Sequence, residues 1–124
     1  MEQLILHLIG DYVTQTSWMA QEKLKNFFVA LLHAFIYSLP FLLLDPSNTA
    51  FLVIWISHAI IDRYRLAKYI LFAKDWINQP SLKWKDCSDT GYHKDKPIWM
   101  SVWLMIIADN TMHLAINYAA FRWL

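Results

Sequence analysis

Three long apolar stretches, separated by polar segments, form the pattern of this chain. The longest stretch without charge covers residues 27–44, and about 18 residues are just enough to cross a hydrocarbon core of roughly 30 Å. A turn-like sequence at residues 45–49 follows it. We predict a second span from residue 50 to residues 63–65, with helix continuing to about residue 74. A third span is predicted from residue 98 to about residue 123, with Pro97 well placed to start its helix.

The N-terminal apolar segment, residues 4–13, is too short to cross a bilayer unaided. It runs directly into the polar residues 14–17, so we predict a half-span or re-entrant helix that packs against the three full spans. The predicted fold class is therefore all-α, a small polytopic membrane helix bundle. We expect a single integral membrane domain over residues 1–124, with a polar connection at about residues 75–97.

The composition supports this class. Hydrophobic residues make up 57% of the chain and only 2 residues are glycine, which is typical of a small helical membrane protein. The formal net charge of +1 argues against nucleic acid as a partner. The single Cys87 excludes an intramolecular disulfide framework and a cysteine metal cluster, which leaves histidine and carboxylate as the metal ligands.

Basic residues flank the predicted spans on one side, whereas the turn at residues 45–49 has none. By the positive-inside rule, the basic side faces the cytoplasm. The residues that set this orientation are Lys23, Lys25, Arg63, Arg65, Lys68, Lys74, Lys83, Lys85, Lys94 and Lys96.

Three histidine–aspartate pairs stand four residues apart inside the apolar stretches, and a further histidine lies in the longest of them. Four residues make about one helical turn, so each pair projects from one face of its helix. Ionisable groups are costly in a membrane and normally face the interior of a bundle, so we expect them to meet around metal. The predicted metal ligands are His7, Asp11, His33, His58, Asp62, Asp109 and His113.

Neutral imidazole and carboxylate suit Zn, Mn or Fe as divalent ions, with Zn the default because the chain has no thiolate set. Seven candidates exceed the need of one tetrahedral ion, so we favour two ions roughly 3.5–4 Å apart over one. Asp11, Asp62 and Asp109 are then ligands or bridges and the candidate catalytic carboxylates. Asp109 is the best single candidate because it lies mid-span among apolar neighbours. The amides of Gln15 and Asn110 are expected to orient the ligands by hydrogen bonds.

Simpler interpretations remain open for these residues. The three pairs could be intrahelical hydrogen bonds, and His33 could bond to a neighbouring helix. Asp62 stands beside Arg63, where a carboxylate could be solvated at the membrane surface. For Gln15 and Asn110, ordinary bonding between helices explains the amides equally well.

Four motifs occur in a characteristic order: residues 7–20 with Lys23, Leu-His-Ala at 32–34, His-Ala-Ile-Ile-Asp at 58–62, and Asp-Asn-Thr-Met-His at 109–113. Over nearly its whole length the chain resembles the DUF3307 family of small bacterial and phage membrane proteins. It is more distantly similar to the YdjM-like membrane-bound metal-dependent hydrolases. This resemblance implies an integral protein of the bacterial inner (cytoplasmic) membrane.

The leading hypothesis is a membrane-embedded metal-dependent hydrolase that acts on a phosphate-containing or lipid-like substrate, such as an anionic lipid, near the cytoplasmic leaflet. One alternative is a component of a metal-ion or proton transporter or channel, which with three spans would require a homo-oligomer. Another is a non-catalytic membrane partner protein of the phage type that interacts with the host. The lipid bilayer is the one partner common to all three hypotheses.

Overall fold

The computed structural model describes residues 1–124, which form six α-helices and no strands, so the all-α prediction is confirmed. The chain divides into two compact units, one of residues 1–64 with 113–124 and the other of residues 65–112. A π-helical turn (Ile9–Val13), a 3-10 segment (Leu39–Leu44) and a short 3-10 turn (Trp84–Asp86) complete the elements. The helices are α1 (Glu2–Leu8), α2 (Ser17–Glu22), α3 (Phe27–Ser38), α4 (Asn48–Tyr64), α5 (Ala67–Asn78) and α6 (Ile98–Trp123).

The predicted first span is present as α3 together with the 3-10 segment that continues it. Asn26 caps the start of α3, because its side chain accepts a hydrogen bond of 2.9 Å from the backbone N–H of Phe28. Pro40 lacks an N–H group, and the α-helix tightens to 3-10 geometry at this point. The segment ends at Asp45 in the left-handed conformation (φ 49°), and the Ser47 side chain caps α4.

By length and composition, Phe27–Leu44 is the one helical segment able to cross a membrane. The helix α4 has 17 residues and carries Asp62 and Arg63 near its end. The helix α6 has 26 residues, but polar side chains such as Asp109 interrupt its apolar surface. The structure thus shows a helical segment with the bounds of the first predicted span, and it does not confirm a bundle of three membrane spans.

The predicted second helix, residues 50 to about 74, is wrong at its C-terminal end. The helix α4 ends at Tyr64, Arg65 adopts the left-handed conformation (φ 49°), and α5 begins only at Ala67. A non-glycine residue in this conformation costs roughly 1–2 kcal/mol. The Arg65 guanidinium donates to Met105 Sδ at 3.1 Å, a contact within the second unit that helps to hold the residue.

Helices α3 and α4 form an antiparallel hairpin at the centre of the first unit. The Trp55 indole N–H donates to the backbone carbonyl of Leu31 at 2.9 Å and ties the two helices together. Ala30, Ala34 and Ala59 are fully buried, and such small side chains allow helices to approach closely. A hydrophobic core forms at the closed end of the hairpin from Leu6, Tyr37, Phe41, Ala50, Ile54 and Ala120.

In the second unit, the predicted polar connection packs against α5. Tyr69 stacks on Trp84 with ring centroids 4.9 Å apart. The Lys74 ammonium donates to the hydroxyl of Tyr92 at 3.0 Å, and this hydrogen bond raises the pKa of Lys74. Gly91 has a φ of 87°, and a Cβ there would lie against the backbone of α5, so only glycine suits this position. The connection is therefore a folded element rather than a solvated loop.

Candidate metal centre

The π-helical turn positions the first carboxylate of the site. The backbone N–H of Thr14 donates to the carbonyl of Ile9 at 3.0 Å, which is the i to i+5 pattern of a π-helix. Gly10 lets this turn touch α3, because a Cβ at Gly10 would lie 2.5 Å from Cδ2 and 2.9 Å from the carbonyl oxygen of Tyr37. Asp11, the next residue, is thereby brought beside the polar face of the hairpin.

Four side chains from the π-helical turn, α3 and α4 converge at one point, and all four are buried. His33 Nε2 lies 3.3 Å from both Asp11 Oδ1 and Asp62 Oδ2. His58 Nε2 lies 3.2 Å from the same two oxygens, and the two Nε2 atoms are 3.1 Å apart. We call these four atoms the metal cluster. Both imidazoles face a carboxylate on another element, so the pairs are not confined to single helices.

The spacing of the metal cluster fits one tetrahedral ion. Metal–ligand distances of about 2.0–2.2 Å place neighbouring ligand atoms of a tetrahedron roughly 3.3–3.6 Å apart. The five distances given above lie between 3.1 and 3.3 Å, and all four atoms lie within 4.8 Å of one another. Two imidazoles and two carboxylates form a donor set suited to Zn, Mn or Fe. The residues present could therefore hold a metal ion with little adjustment.

The outer oxygen of each cluster carboxylate meets another histidine. His113 Nε2 lies 3.2 Å from Asp62 Oδ1, and His7 Nε2 lies 3.6 Å from Asp11 Oδ2. Both histidines are fully or almost fully buried. They stand beside the cluster rather than in it, where they can orient the carboxylates.

A buried tyrosine and asparagine, which sequence reasoning missed, extend this network. The Asn117 side-chain amide donates to the Tyr37 hydroxyl at 2.7 Å, and that hydroxyl lies 2.8 Å from His7 Nδ1. The ring of Tyr37 also stacks on His58 with centroids 3.6 Å apart. Each missed residue stands four positions after a predicted histidine, Tyr37 after His33 and Asn117 after His113. The spacing that identified the ligands could therefore have found them.

Lys23 also belongs to the site, although its position in the sequence identified it only as a flanking charge and as part of the first family motif. Its ammonium lies 2.6 Å from Asp62 Oδ2, and its side chain is 14% exposed. The Arg63 guanidinium donates to the carbonyl of Leu24 at 2.7 Å, which fixes the chain immediately after Lys23. A cation is thus held against one of the four atoms of the metal cluster.

Asp11 lies outside the Phe27–Leu44 segment, and its surroundings favour the ionised form. Burial raises the pKa of its carboxyl, but the hydrogen bonds from His33 and His58 outweigh this effect and hold the pKa well below its ordinary range. A carboxylate that stays deprotonated is ready to bind a cation, because metal ligands must first lose their protons.

Two buried ring nitrogens of the cluster, His33 Nδ1 and His58 Nδ1, have no hydrogen-bond partner in the protein. Metal-binding histidines usually donate this second N–H to an acceptor, and loss of such acceptors typically weakens metal affinity about 10–100-fold. Within the protein, these two histidines therefore lack the second hydrogen bond that most metal-binding histidines make.

Six of the seven predicted ligand residues lie in the first unit and form one contiguous network, whereas Asp109 is half-buried and belongs to the second unit. Asn110 lies beside it and is also half-buried, so the roles of both residues stay predictions. Gln15 is half-buried in the first unit, and its Oε1 atom is buried without a hydrogen-bond partner in the protein.

Comparison with known proteins adds one finding. A family model described as a protein of unknown function (DUF3307) matches residues 1–121. No curated protein and no solved structure matches the chain.

Proposed function

Since the chain belongs to the DUF3307 family of proteins of unknown function, we propose a function from its own chemistry. The proposal is a membrane-embedded, metal-dependent hydrolase that acts on a phosphate-containing or lipid-like substrate near the cytoplasmic leaflet. The observation that carries it is the metal cluster, in which four buried donor atoms surround one point at tetrahedral spacing.

In this proposal Asp11, His33, His58 and Asp62 hold one divalent ion, with Zn favoured and Mn or Fe as alternatives. A bound ion of this kind polarises phosphoryl oxygens and lowers the pKa of water towards 7, which is the chemistry that phosphoester hydrolysis needs. His113 Nε2 lies beside the outer oxygen of Asp62, Oδ1, and can orient that carboxylate by a hydrogen bond. A second ion would require further ligands, for which Asp109 stays the predicted source.

The distribution of apolar side chains supports a membrane location. The histidines and aspartates of the site are buried, whereas Phe28, Leu43 and Leu52 are 71%, 81% and 51% exposed. Water-soluble monomers rarely expose large contiguous apolar surfaces, and a lipid-facing helix does so by necessity. We propose that α3 with its 3-10 extension, α4 and α6 span the bacterial inner membrane, with α1 and the π-helical turn as a half-span.

Metal analysis tests the proposal directly. Protein purified in a neutral detergent and incubated with Zn, Mn or Fe should retain about one equivalent of one of these ions, because the metal cluster has room for a single tetrahedral centre. His58→Ala should lose that ion, since two of the short distances involving its Nε2 lead to carboxylates. His93→Ala, which alters a histidine of the second unit, is the matched control and should bind metal like the wild type.

A wild-type protein that takes up none of these metals, or a His58→Ala variant that binds as well as the wild type, would overturn the metal centre. Turnover is then measured on a chromogenic phosphodiester and on phosphatidic acid. Metal binding without hydrolysis of either substrate, combined with ion flux in liposomes, would replace the hydrolase by the transport hypothesis.

A further inference from the structure

The strongest feature beyond the metal cluster is the cation held against it. The Lys23 ammonium lies 2.6 Å from Asp62 Oδ2, and this oxygen is itself one of the four cluster atoms. The side chain of Lys23 is 14% exposed, compared with 4% for Asp62. Lys23 is therefore the more exposed partner of this ion pair, and its ammonium lies directly beside the cluster.

The charges of the centre change sign when a divalent ion enters. With neutral imidazoles, as metal ligation requires, the two cluster carboxylates and Lys23 carry a net charge of −1. A bound dication would change this net charge to +1. The positive charge left without a counter-charge would then include the largely buried ammonium of Lys23. Uncompensated buried charge is costly, so the loaded centre favours an anionic ligand.

The same oxygen cannot serve two cations equally well. A metal ion held by Asp62 Oδ2 would repel the Lys23 ammonium and would weaken its ion pair with that oxygen. Arg63 keeps the end of α2 in place by donating to the carbonyls of Leu24 and Lys25 at 2.7 and 3.3 Å. Lys23 would therefore be retained beside the ion, and the ammonium has three N–H donors, of which Asp62 Oδ2 occupies one.

We propose that Lys23 and the bound metal ion together form a binding site for a phosphate-type oxyanion. This inference deepens the proposed function, on which it rests, by naming the charge of the substrate. One oxygen of the anion would be bound by the ammonium, and another would approach the ion, which can expand from four to five ligands. Inorganic phosphate and the phosphate of a lipid headgroup share this chemistry.

Calorimetric titration of inorganic phosphate tests the proposal on protein loaded with one equivalent of zinc and freed of excess metal. Phosphate should bind the loaded wild type about tenfold or more tightly than the metal-free protein. Lys23→Met should lose about tenfold or more in phosphate affinity, because it removes one partner of a buried charge pair. Lys23→Arg keeps the charge and should bind phosphate nearly as well as the wild type.

Lys25→Met is the matched control, because Lys25 is two residues away, 75% exposed and outside the metal cluster. Its phosphate affinity should equal that of the wild type. Zinc affinity is measured separately, and Lys23→Met should bind zinc at least as tightly as the wild type because a competing cation has been removed. Equal phosphate affinity of Lys23→Met and wild type, or equal affinity with and without zinc, would overturn the oxyanion site. If zinc fails to bind, the proposed function fails first.

The source of the anion is distinguished in nanodiscs of phosphatidylcholine with and without phosphatidic acid. Weaker binding of inorganic phosphate in the presence of phosphatidic acid, seen in the wild type and absent in Lys23→Met, would assign the site to a lipid headgroup. Unchanged binding in the wild type would assign it to a free phosphate compound. Competition that persists in Lys23→Met would contradict the role of Lys23.

Discussion

The hydroxyl of Tyr37 offers the sharpest test of the buried network, because Tyr37→Phe removes one oxygen atom and leaves the shape of the core unchanged. That hydroxyl accepts from the amide of Asn117 at 2.7 Å and lies 2.8 Å from His7 Nδ1. Tyr37 and His7 are 0% exposed and Asn117 is 2% exposed, so water cannot replace the missing partner without opening the unit. The substitution therefore isolates the energetic value of the network.

Two hydrogen bonds disappear, and polar atoms of two buried side chains lose a partner. A typical hydrogen bond contributes about 1 kcal/mol, and a buried group left unsatisfied costs about 1–3 kcal/mol. We expect the free energy of unfolding to fall by about 2–4 kcal/mol, a large share of the total stability of a small protein. Metal affinity should fall as well, since His7 lies beside the outer oxygen of Asp11.

Equilibrium unfolding in guanidinium, followed by tryptophan fluorescence in a neutral detergent, measures this change. Tyr118→Phe is the control, because Tyr118 is 58% exposed on α6 and its hydroxyl should contribute less than about 0.5 kcal/mol. If Tyr37→Phe unfolds like this control and binds zinc like the wild type, the network has no energetic role and the reasoning fails.

Two further predictions concern positions outside this network. Gly10→Ala places a Cβ 2.9 Å from the carbonyl oxygen of Tyr37, so the π-helical turn must move. We expect the free energy of unfolding to fall by about 1–3 kcal/mol and zinc binding to weaken. An unchanged zinc affinity of Gly10→Ala would show that the π-helical turn does not position the metal site. Burial and the nearby Asp86 and Asp75 carboxylates raise the pKa of the Cys87 thiol, which lowers its thiolate fraction at a given pH. Alkylation of Cys87 by iodoacetamide at pH 8 should therefore be slow until the protein is unfolded. Fast labelling of the native protein would show that Cys87 is accessible.

The sequence predicts those parts of the fold that depend on strong local signals. A charge-free run defines Phe27–Leu44, and Pro97 marks the start of α6 at Ile98. The end of α4 could not be predicted, because Arg65 adopts a left-handed conformation without the glycine or asparagine that usually marks one. The break therefore has no local signature.

In the candidate site, too, the residues with a local sequence signal were predicted and those without one were missed. Spacing of four residues placed the ligand pairs on helix faces, and the cost of buried charge predicted that His33 and His58 would meet. Lys23 was missed as a site residue because a lysine at the end of an apolar span has the same appearance whether it faces water or a buried carboxylate. Only the packing of α2 against the hairpin distinguishes the two cases.

The π-helical turn has a consequence for how the centre could be lost. A turn of this kind holds one residue more than a regular α-helical turn, and each residue of an α-helix rotates the following side chains by about 100°. Deletion of one exposed residue, such as Tyr12, would let the turn relax to a regular helix without removing any ligand. Gly10 and Asp11 would then rotate relative to the residues after the deletion and to α3, so a single-codon deletion could silence the centre while every histidine and aspartate remained in the chain.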